Sequence, residues 1–105
     1  MDSTVTASME YAIGHLNVLL VLVLGHTACG AITAAINGNA TGRIKETIDK
    51  ISSVIGDEKD DYKASVINVN ANVKAVQNTI ANDYPQVKVI GAIYLADSGI
   101  VEFID

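Results

Sequence analysis

The chain of 105 residues is half hydrophobic and 18% charged, which predicts one packed domain over residues 1–105 and excludes a disordered chain. Its formal net charge of −5, with seven Lys and Arg residues scattered along the sequence, argues against nucleic acid as a partner. The single cysteine cannot form an internal disulfide and the first residues do not resemble a signal peptide, so we expect a cytoplasmic protein.

The first predicted element is an amphipathic helix over residues 4–16. Its apolar residues recur at helical spacing: Val5, Met9, Ile13 and Leu16. Gly14 lowers the helix propensity near the end of this segment, and His15 suits a helix C-terminus. We therefore predict that the helix ends here and that His15 is structural.

The second element is the run "VLLVLVL", Val18–Leu24, which has no polar face. The apolar segment extends to Ile36 and approaches the length of a membrane span, but glycine, histidine and threonine interrupt it. A continuous apolar run bounded by glycine is typical of a fully buried strand. We therefore predict a buried β-strand and no membrane association.

Three further helices are predicted in the middle of the chain. The small residues of "CGAITAAI" favour a helix from Cys29 to about Ile36. A second helix follows Thr41, which is a candidate cap, and a third covers about residues 65–82 before Pro85. The apolar stripes of the last two helices are Ile44, Ile48, Ile51 and Ile55, and Val66, Val69, Val73, Val76 and Ile80.

The last two segments, "VKVIGAIYL" and "IVEFI", are separated by "ADSG" and predict an antiparallel return strand at the C-terminus. The resulting order indicates an α/β fold with a small, mostly parallel sheet flanked by helices. A strand as apolar as Val18–Leu24 requires neighbours on both edges, and the chain supplies only two other strands. We therefore expect a homodimer or larger assembly in which another chain covers the sheet edge near Val18–Leu24.

The motif "VLGHTACGAI" places His26 and Cys29 where the buried strand ends and a helix begins, which is where ligands bind in open α/β sheets. A neutral imidazole and a thiolate in the first turn of a helix are good zinc ligands. Gly25 and Gly30 would let the backbone turn tightly and let a neighbour approach closely. The spacing leaves open a second interpretation, an inert buried cysteine and a histidine that caps the turn.

The segment "TASMEYAIGHLNVLLVLVLGHTACGAI" resembles the central part of the β-class carbonic anhydrases. That family combines a helix of the form "S-[IL]-E-Y-A-[VI]" with an apolar strand that ends in "G-H-[TS]-x-C-G". The matching positions are Ser8, Glu10, Tyr11, Ala12, Leu16, Val18, Gly25, His26, Thr27, Cys29 and Gly30. The segments "NVNANVKAVQNTI" and "IGAIYLADSGIVEFI" resemble a later helix and the last strands of the same family.

By this resemblance His26 and Cys29 are two of the three protein ligands of a catalytic zinc, which activates water for attack on carbon dioxide to give bicarbonate. The family's preceding "C-x-D-S-R" segment carries the third ligand and an Asp–Arg pair, and this sequence has no counterpart to it. The resemblance thus implies a truncated form of the fold. Two functions remain open: an enzyme acting on carbon dioxide, or on carbon disulfide or carbonyl sulfide, and a non-catalytic structural oligomer with a shared or absent zinc.

Overall fold

The computed structural model describes residues 2–104, and its elements follow the predicted order of helices and strands. The helices are α1 (Ser3–Leu16), α2 (Gly30–Asn37), α3 (Lys45–Ile55) and α4 (Asp61–Ile80), with a short 3₁₀ helix at Gly42–Ile44. The strands are β1 (Leu20–His26), β2 (Lys88–Leu95) and β3 (Ile100–Ile104). The α/β fold class predicted from the sequence is confirmed.

Acidic side chains begin two of the helices. The Oδ1 of Asp2 accepts a hydrogen bond from the backbone N–H of Val5 at 3.0 Å, and a carboxylate oxygen of Asp60 accepts one from Lys63 at 2.9 Å. The cap at Asp60 starts α4 four residues earlier than predicted. Thr41, by contrast, makes no side-chain capping bond and precedes the 3₁₀ helix, so its predicted role as a cap is wrong.

The sheet has the strand order β1-β2-β3. Strand β1 is parallel to β2, from Leu20 opposite Lys88 to His26 opposite Tyr94, and β2 is antiparallel to β3. The sheet is therefore mixed, and the antiparallel return strand at the C-terminus is present. Strand β1 begins and ends two residues later than predicted, so that His26 is its last residue.

Helices α1 and α4 cover one face of the sheet, which we call the covered face. A Cβ atom added to Gly25 would lie 2.6 Å from Cγ2 of Val69, and one added to Gly91 would lie 2.8 Å from its Cγ1. Val69 of α4 therefore rests directly on the backbone of two neighbouring strands. The buried core on this side includes Ile13, Val76, Ile80 and Val89, and a second core joins α2, α3 and α4 through Ile32, Ala35, Ile48, Ile55 and Ala64.

The opposite face of the sheet has no helix of residues 2–104 against it, and we call it the open face. Leu20, Leu22 and Leu24 are 51%, 43% and 51% exposed there, so the prediction of a fully buried strand is wrong for this chain alone. Alternation along β1 points every second residue away from α1 and α4. The exposed apolar residues of the open face are Leu20, Leu22, Leu24, Tyr94, Val101 and Phe103.

The shape of the molecule agrees with a sheet that is covered on one side. Its extents are 40 × 32 × 19 Å and its accessible surface is 6768 Å². A compact monomer of this mass would expose about 5,600 Å² by the usual scaling of surface with mass. Between residues 2 and 104, no helix has both the length and the apolar character needed to cross a membrane.

Candidate metal centre

His26 and Cys29 lie at the carboxyl end of β1, on either side of the turn Thr27–Ala28. Cys29 occupies the N-cap position of α2 with an extended backbone, φ −79° and ψ 119°, and makes no side-chain capping bond. It therefore precedes the first helical turn, in which it was predicted. The side chain of Cys29 is half-buried and that of His26 is exposed. Both residues line the same cavity of about 180 Å³ between β1, α2 and α4.

The turn between the two residues is fixed to the end of β2 by Thr27. The backbone N–H of Thr27 donates to the carbonyl oxygen of Tyr94 at 3.0 Å. The hydroxyl oxygen of Thr27 accepts a hydrogen bond from the backbone N–H of Ala96 at 2.9 Å. These two bonds extend the pairing of the strands by one residue and hold the positions of His26 and Cys29 relative to the sheet.

The same turn contains a residue in the left-handed region, Ala28, with φ +55°. For a residue with a Cβ atom this conformation is unfavourable by roughly 1–2 kcal/mol. The sequence pattern instead assigned the tight turn to Gly25 and Gly30. Gly25 makes close contact with α4, whereas a Cβ atom at Gly30 would meet no atom within 4 Å. The close approach of a neighbour therefore explains the glycine at Gly25 but not the one at Gly30.

The imidazole of His26 has one nitrogen engaged by the turn itself. Its Nδ1 lies 2.9 Å from the carbonyl oxygen of Thr27. A carbonyl oxygen can only accept a hydrogen bond, so Nδ1 carries the proton and Nε2 of the neutral ring carries the lone pair. A backbone carbonyl on one ring nitrogen is the usual means of orienting a histidine whose other nitrogen binds a metal.

Two polar residues of α4, Ser65 and Asn68, also line the cavity. Ser65 is only 3% exposed, and its hydroxyl has no hydrogen-bond partner among residues 2–104. Sequence reasoning missed it because the apolar stripe of this helix was assigned to begin at Val66. Ser65 lies four residues before Val69 and therefore on the same helix face, and this spacing is the signal that would have identified it.

A third metal ligand is missing from the part of the chain that the structure describes. No group of three or more His, Cys, Asp and Glu side chains in residues 2–104 is close enough to hold a metal ion. The second histidine, His15, stacks on Tyr11 in the last turn of α1, with ring centroids 4.8 Å apart. The donor set at this cavity, among residues 2–104, is therefore one imidazole nitrogen and one thiol sulfur.

Comparison with known sequences identifies the family of the chain. The carbonic anhydrase family profile matches residues 1–101. Carbonic anhydrase 2 of Mycobacterium tuberculosis is 40% identical over 57 residues, which are 50% of this chain and 28% of that protein. Carbonic anhydrase of Mycolicibacterium smegmatis is 41% identical over 44 residues, 42% of this chain and 21% of that protein.

Solved structures of β-carbonic anhydrases share the fold of the whole chain. CafA of Aspergillus fumigatus has a TM-score of 0.84 at 24% identity, covering 99% of this chain and 57% of its own. A tetrameric enzyme of Sordaria macrospora has a TM-score of 0.83 at 28% identity, covering 99% of this chain and 61% of its own. The chain thus spans about three fifths of these solved relatives. From the extent of the family match and this agreement in fold, the chain belongs to the β-carbonic anhydrase family.

Proposed function

We propose that this chain binds zinc through His26 and Cys29 and contributes to the reversible hydration of carbon dioxide to bicarbonate in the cytoplasm. The observation that carries the proposal is the convergence of the two donors on one cavity at the carboxyl end of β1. The hydrogen bond from Nδ1 of His26 to Thr27 supports it, because that bond leaves Nε2 as the free donor. Membership of the β-carbonic anhydrase family supports both the metal and the reaction.

The donor chemistry of the site suits zinc, although it is incomplete. Zinc binds imidazole nitrogen and thiolate sulfur, and catalytic sites combine three protein ligands with one water. Bound zinc would supply a Lewis acid that lowers the pKa of water towards neutrality. A third protein ligand would have to come from outside residues 2–104, because no third His, Cys, Asp or Glu lies near the first two.

The residues around the two donors would orient them and limit access of water. Thr27 holds the turn to β2 and fixes the ring of His26 through its carbonyl oxygen. Ile32 and Val69 form apolar walls of the cavity. Such walls favour a small substrate without charge, such as carbon dioxide, over bulk water.

A second copy of the chain is the partner that we propose for the bare edge of β1. The accessible surface of 6768 Å² exceeds that of a compact monomer by roughly 1,100 Å², while one partner in a standard protein interface buries about 800 Å². The excess is larger than that area, which supports self-association. The exposed leucines of β1 would lie beside such an interface, on the open face.

The geometry of an edge-to-edge dimer limits how the two metal centres could interact. If two copies of β1 paired antiparallel about Val23, His26 would lie opposite Leu20 of the partner subunit. The two histidines would then be about 20 Å apart, since a strand rises about 3.3 Å per residue. A zinc site shared between two copies of His26 and Cys29 would therefore require a different interface.

A structural zinc in a non-catalytic oligomer is the second candidate function. The observation that favours it is the presence of only two metal donors in residues 2–104. Structural zinc takes four protein ligands, and two copies of one imidazole and one thiolate supply that number. A site closed in this way has no position for water or substrate.

The first experiment measures zinc per chain by elemental analysis, on protein purified without chelator, together with mass by light scattering. About one zinc per chain and measurable hydration of carbon dioxide would support the enzymatic function. One zinc for every two chains, without activity, would support the structural site. His26→Ala and Cys29→Ala should each abolish zinc retention, His15→Ala should retain it, and zinc that persists in either of the first two variants would contradict the assignment.

A further inference from the structure

The cavity beside the proposed metal ligands contains a polar group that the proposed function does not use. We propose that the hydroxyl of Ser65 donates a hydrogen bond to a small oxygen-bearing anion of the size of bicarbonate, bound in this cavity. The inference rests on the proposed function, since it places the reaction's product, which is also its reverse substrate, next to His26 and Cys29. It adds a ligand-binding residue from α4 to a site otherwise built by β1 and the turn before α2.

The burial of Ser65 is the first observation behind this proposal. The residue is 3% exposed, and its hydroxyl has no partner among residues 2–104. Buried hydroxyl groups in proteins are nearly always hydrogen-bonded, because loss of hydration without a new bond is unfavourable. An alanine at this position would fill nearly the same space in α4 and would leave no buried hydroxyl without a hydrogen bond. The hydroxyl therefore indicates a partner other than the protein.

The position of Ser65 is the second observation. Ser65 lies four residues before Val69 on α4, and Val69 contacts Gly25, the residue before His26. Both Ser65 and the metal-ligand candidates line the same cavity, although 36 to 39 residues separate them in sequence. A ligand in the cavity would therefore contact β1 and α2 on one side and α4 on the other.

The size and lining of the cavity restrict the ligand. Its volume of about 180 Å³ is below the roughly 300–1,000 Å³ of pockets for drug-sized molecules and equals about six waters of 30 Å³ each. Ile32 and Val69 supply apolar walls, and Ser65 and Asn68 supply the polar groups. A planar anion of four heavy atoms fits this space, and its oxygens can accept a hydrogen bond from the Ser65 hydroxyl.

The test uses the full chain loaded with cobalt(II) in place of zinc, with bicarbonate as the probe. Cobalt absorption reports metal binding, and its change on titration with bicarbonate reports anion binding. We expect Ser65→Ala to bind cobalt with unchanged affinity and bicarbonate about tenfold more weakly, the effect of losing one hydrogen bond to a charged group. The melting temperature of this variant should equal or exceed that of the wild type, because an unpartnered hydroxyl has been removed.

The matched control is Ser53→Ala on α3. Its hydroxyl is exposed and already donates to the carbonyl oxygen of Lys50 at 2.7 Å, so cobalt and bicarbonate affinities should both stay at wild-type values. Equal bicarbonate affinity in Ser65→Ala and wild type would overturn this inference and leave the proposed function standing. A Ser65→Ala variant that is less stable and keeps its bicarbonate affinity would assign the hydroxyl a structural role instead. Failure of the wild type to bind cobalt would overturn the proposed function and this inference together.

Discussion

The two faces of the sheet are nearly alike in composition and very different in burial. On the covered face, Val89 and Ile93 are 8% and 0% exposed beneath α1 and α4. On the open face, Leu22 and Leu24 of β1 are 43% and 51% exposed, and Phe103 of β3 is 65% exposed. The amino acids on both faces are those of a protein interior.

Both faces of the sheet therefore carry residues suited to burial, while the helices of residues 2–104 cover only one of them. Large contiguous apolar surfaces on monomeric proteins mark sites of interaction. The chain also spans only about three fifths of its solved relatives, in which the same elements are part of a longer polypeptide. Substitutions on the covered face and on the open face should therefore differ in their effect on stability.

The largest expected effect is on the core of the covered face. Ile93→Ala should lower the free energy of unfolding by about 3 kcal/mol, because it leaves a cavity at a fully buried side chain. Leu22→Ala, measured at a concentration at which the protein is monomeric, should lower it by only about 1 kcal/mol. Chemical denaturation of both variants tests the comparison, and equal losses in the monomeric protein would contradict the exposure of Leu22 described above.

The second prediction concerns the contact between α4 and the sheet. Gly25→Ala would place a Cβ atom 2.6 Å from Val69 and 3.1 Å from Ile93, so we expect a loss of about 2 kcal/mol in the free energy of unfolding. Gly30→Ala is the matched control, because its Cβ atom would meet nothing within 4 Å and should change stability by less than about 0.5 kcal/mol. Thermal unfolding distinguishes the two, and a stable Gly25→Ala variant would contradict the packing described.

The third prediction concerns the open face and self-association. Leu22→Lys places a charge at the centre of β1 and should reduce the mass measured by light scattering to that of a monomer, while the stability of the monomer should fall by about 1 kcal/mol, as for Leu22→Ala. Val54→Lys is the control, because Val54 is similarly exposed at 39% but lies on α3. An unchanged mass in Leu22→Lys would exclude β1 from the interface.

The smallest expected effect is at the contact between α4 and β3, where the hydroxyl of Tyr62 donates a hydrogen bond to the carboxylate of Glu102. This bond, together with burial and the charge of Glu102, raises the pKa of Tyr62 above its ordinary value of 10.0. Because the folded pKa is raised, the stabilisation is present below pH 10 and is lost as pH rises through the folded pKa.

Tyr62→Phe should therefore be slightly less stable than the wild type near neutral pH, and the difference should disappear in alkaline solution. Free energies of unfolding of both proteins, measured from pH 7 to 11, provide the test. A difference that persists at the highest pH would show that the phenol stabilises the fold by packing and not through this hydrogen bond.

Most of the fold could be predicted because its elements follow simple periodicities. The isoleucine stripe of α3 and the valine stripe of α4 repeat at helical spacing, and the apolar runs of β1 and β2 have strand length. The start of α4 was harder to predict, because its cap Asp60 stands within an acidic run that is typical of a solvated loop. The exposure of the leucines in β1 could not be predicted from the strand itself, since it depends on which other elements pack against the open face.

The candidate site could be predicted only in the part that is local in sequence. His26 and Cys29 are three residues apart, and their motif resembles that of a known family. The left-handed conformation of Ala28 has no signal of its own, because alanine does not prefer it. Ser65 reaches the cavity only because α4 crosses β1 at Gly25, and that crossing is a tertiary contact.

The contact of Val69 with two glycines also determines the height of α4 above the sheet. Ser65 lies about one helical turn before Val69, about 6 Å along the axis, so the same contact also sets the distance of Ser65 from the sheet. Gly91 supports Val69 from β2 but does not line the cavity. Substitution of Gly91 would therefore lift the helix and enlarge the cavity without changing any residue that lines it. Selection for ligand size could in this way act on a glycine in the interior of a strand.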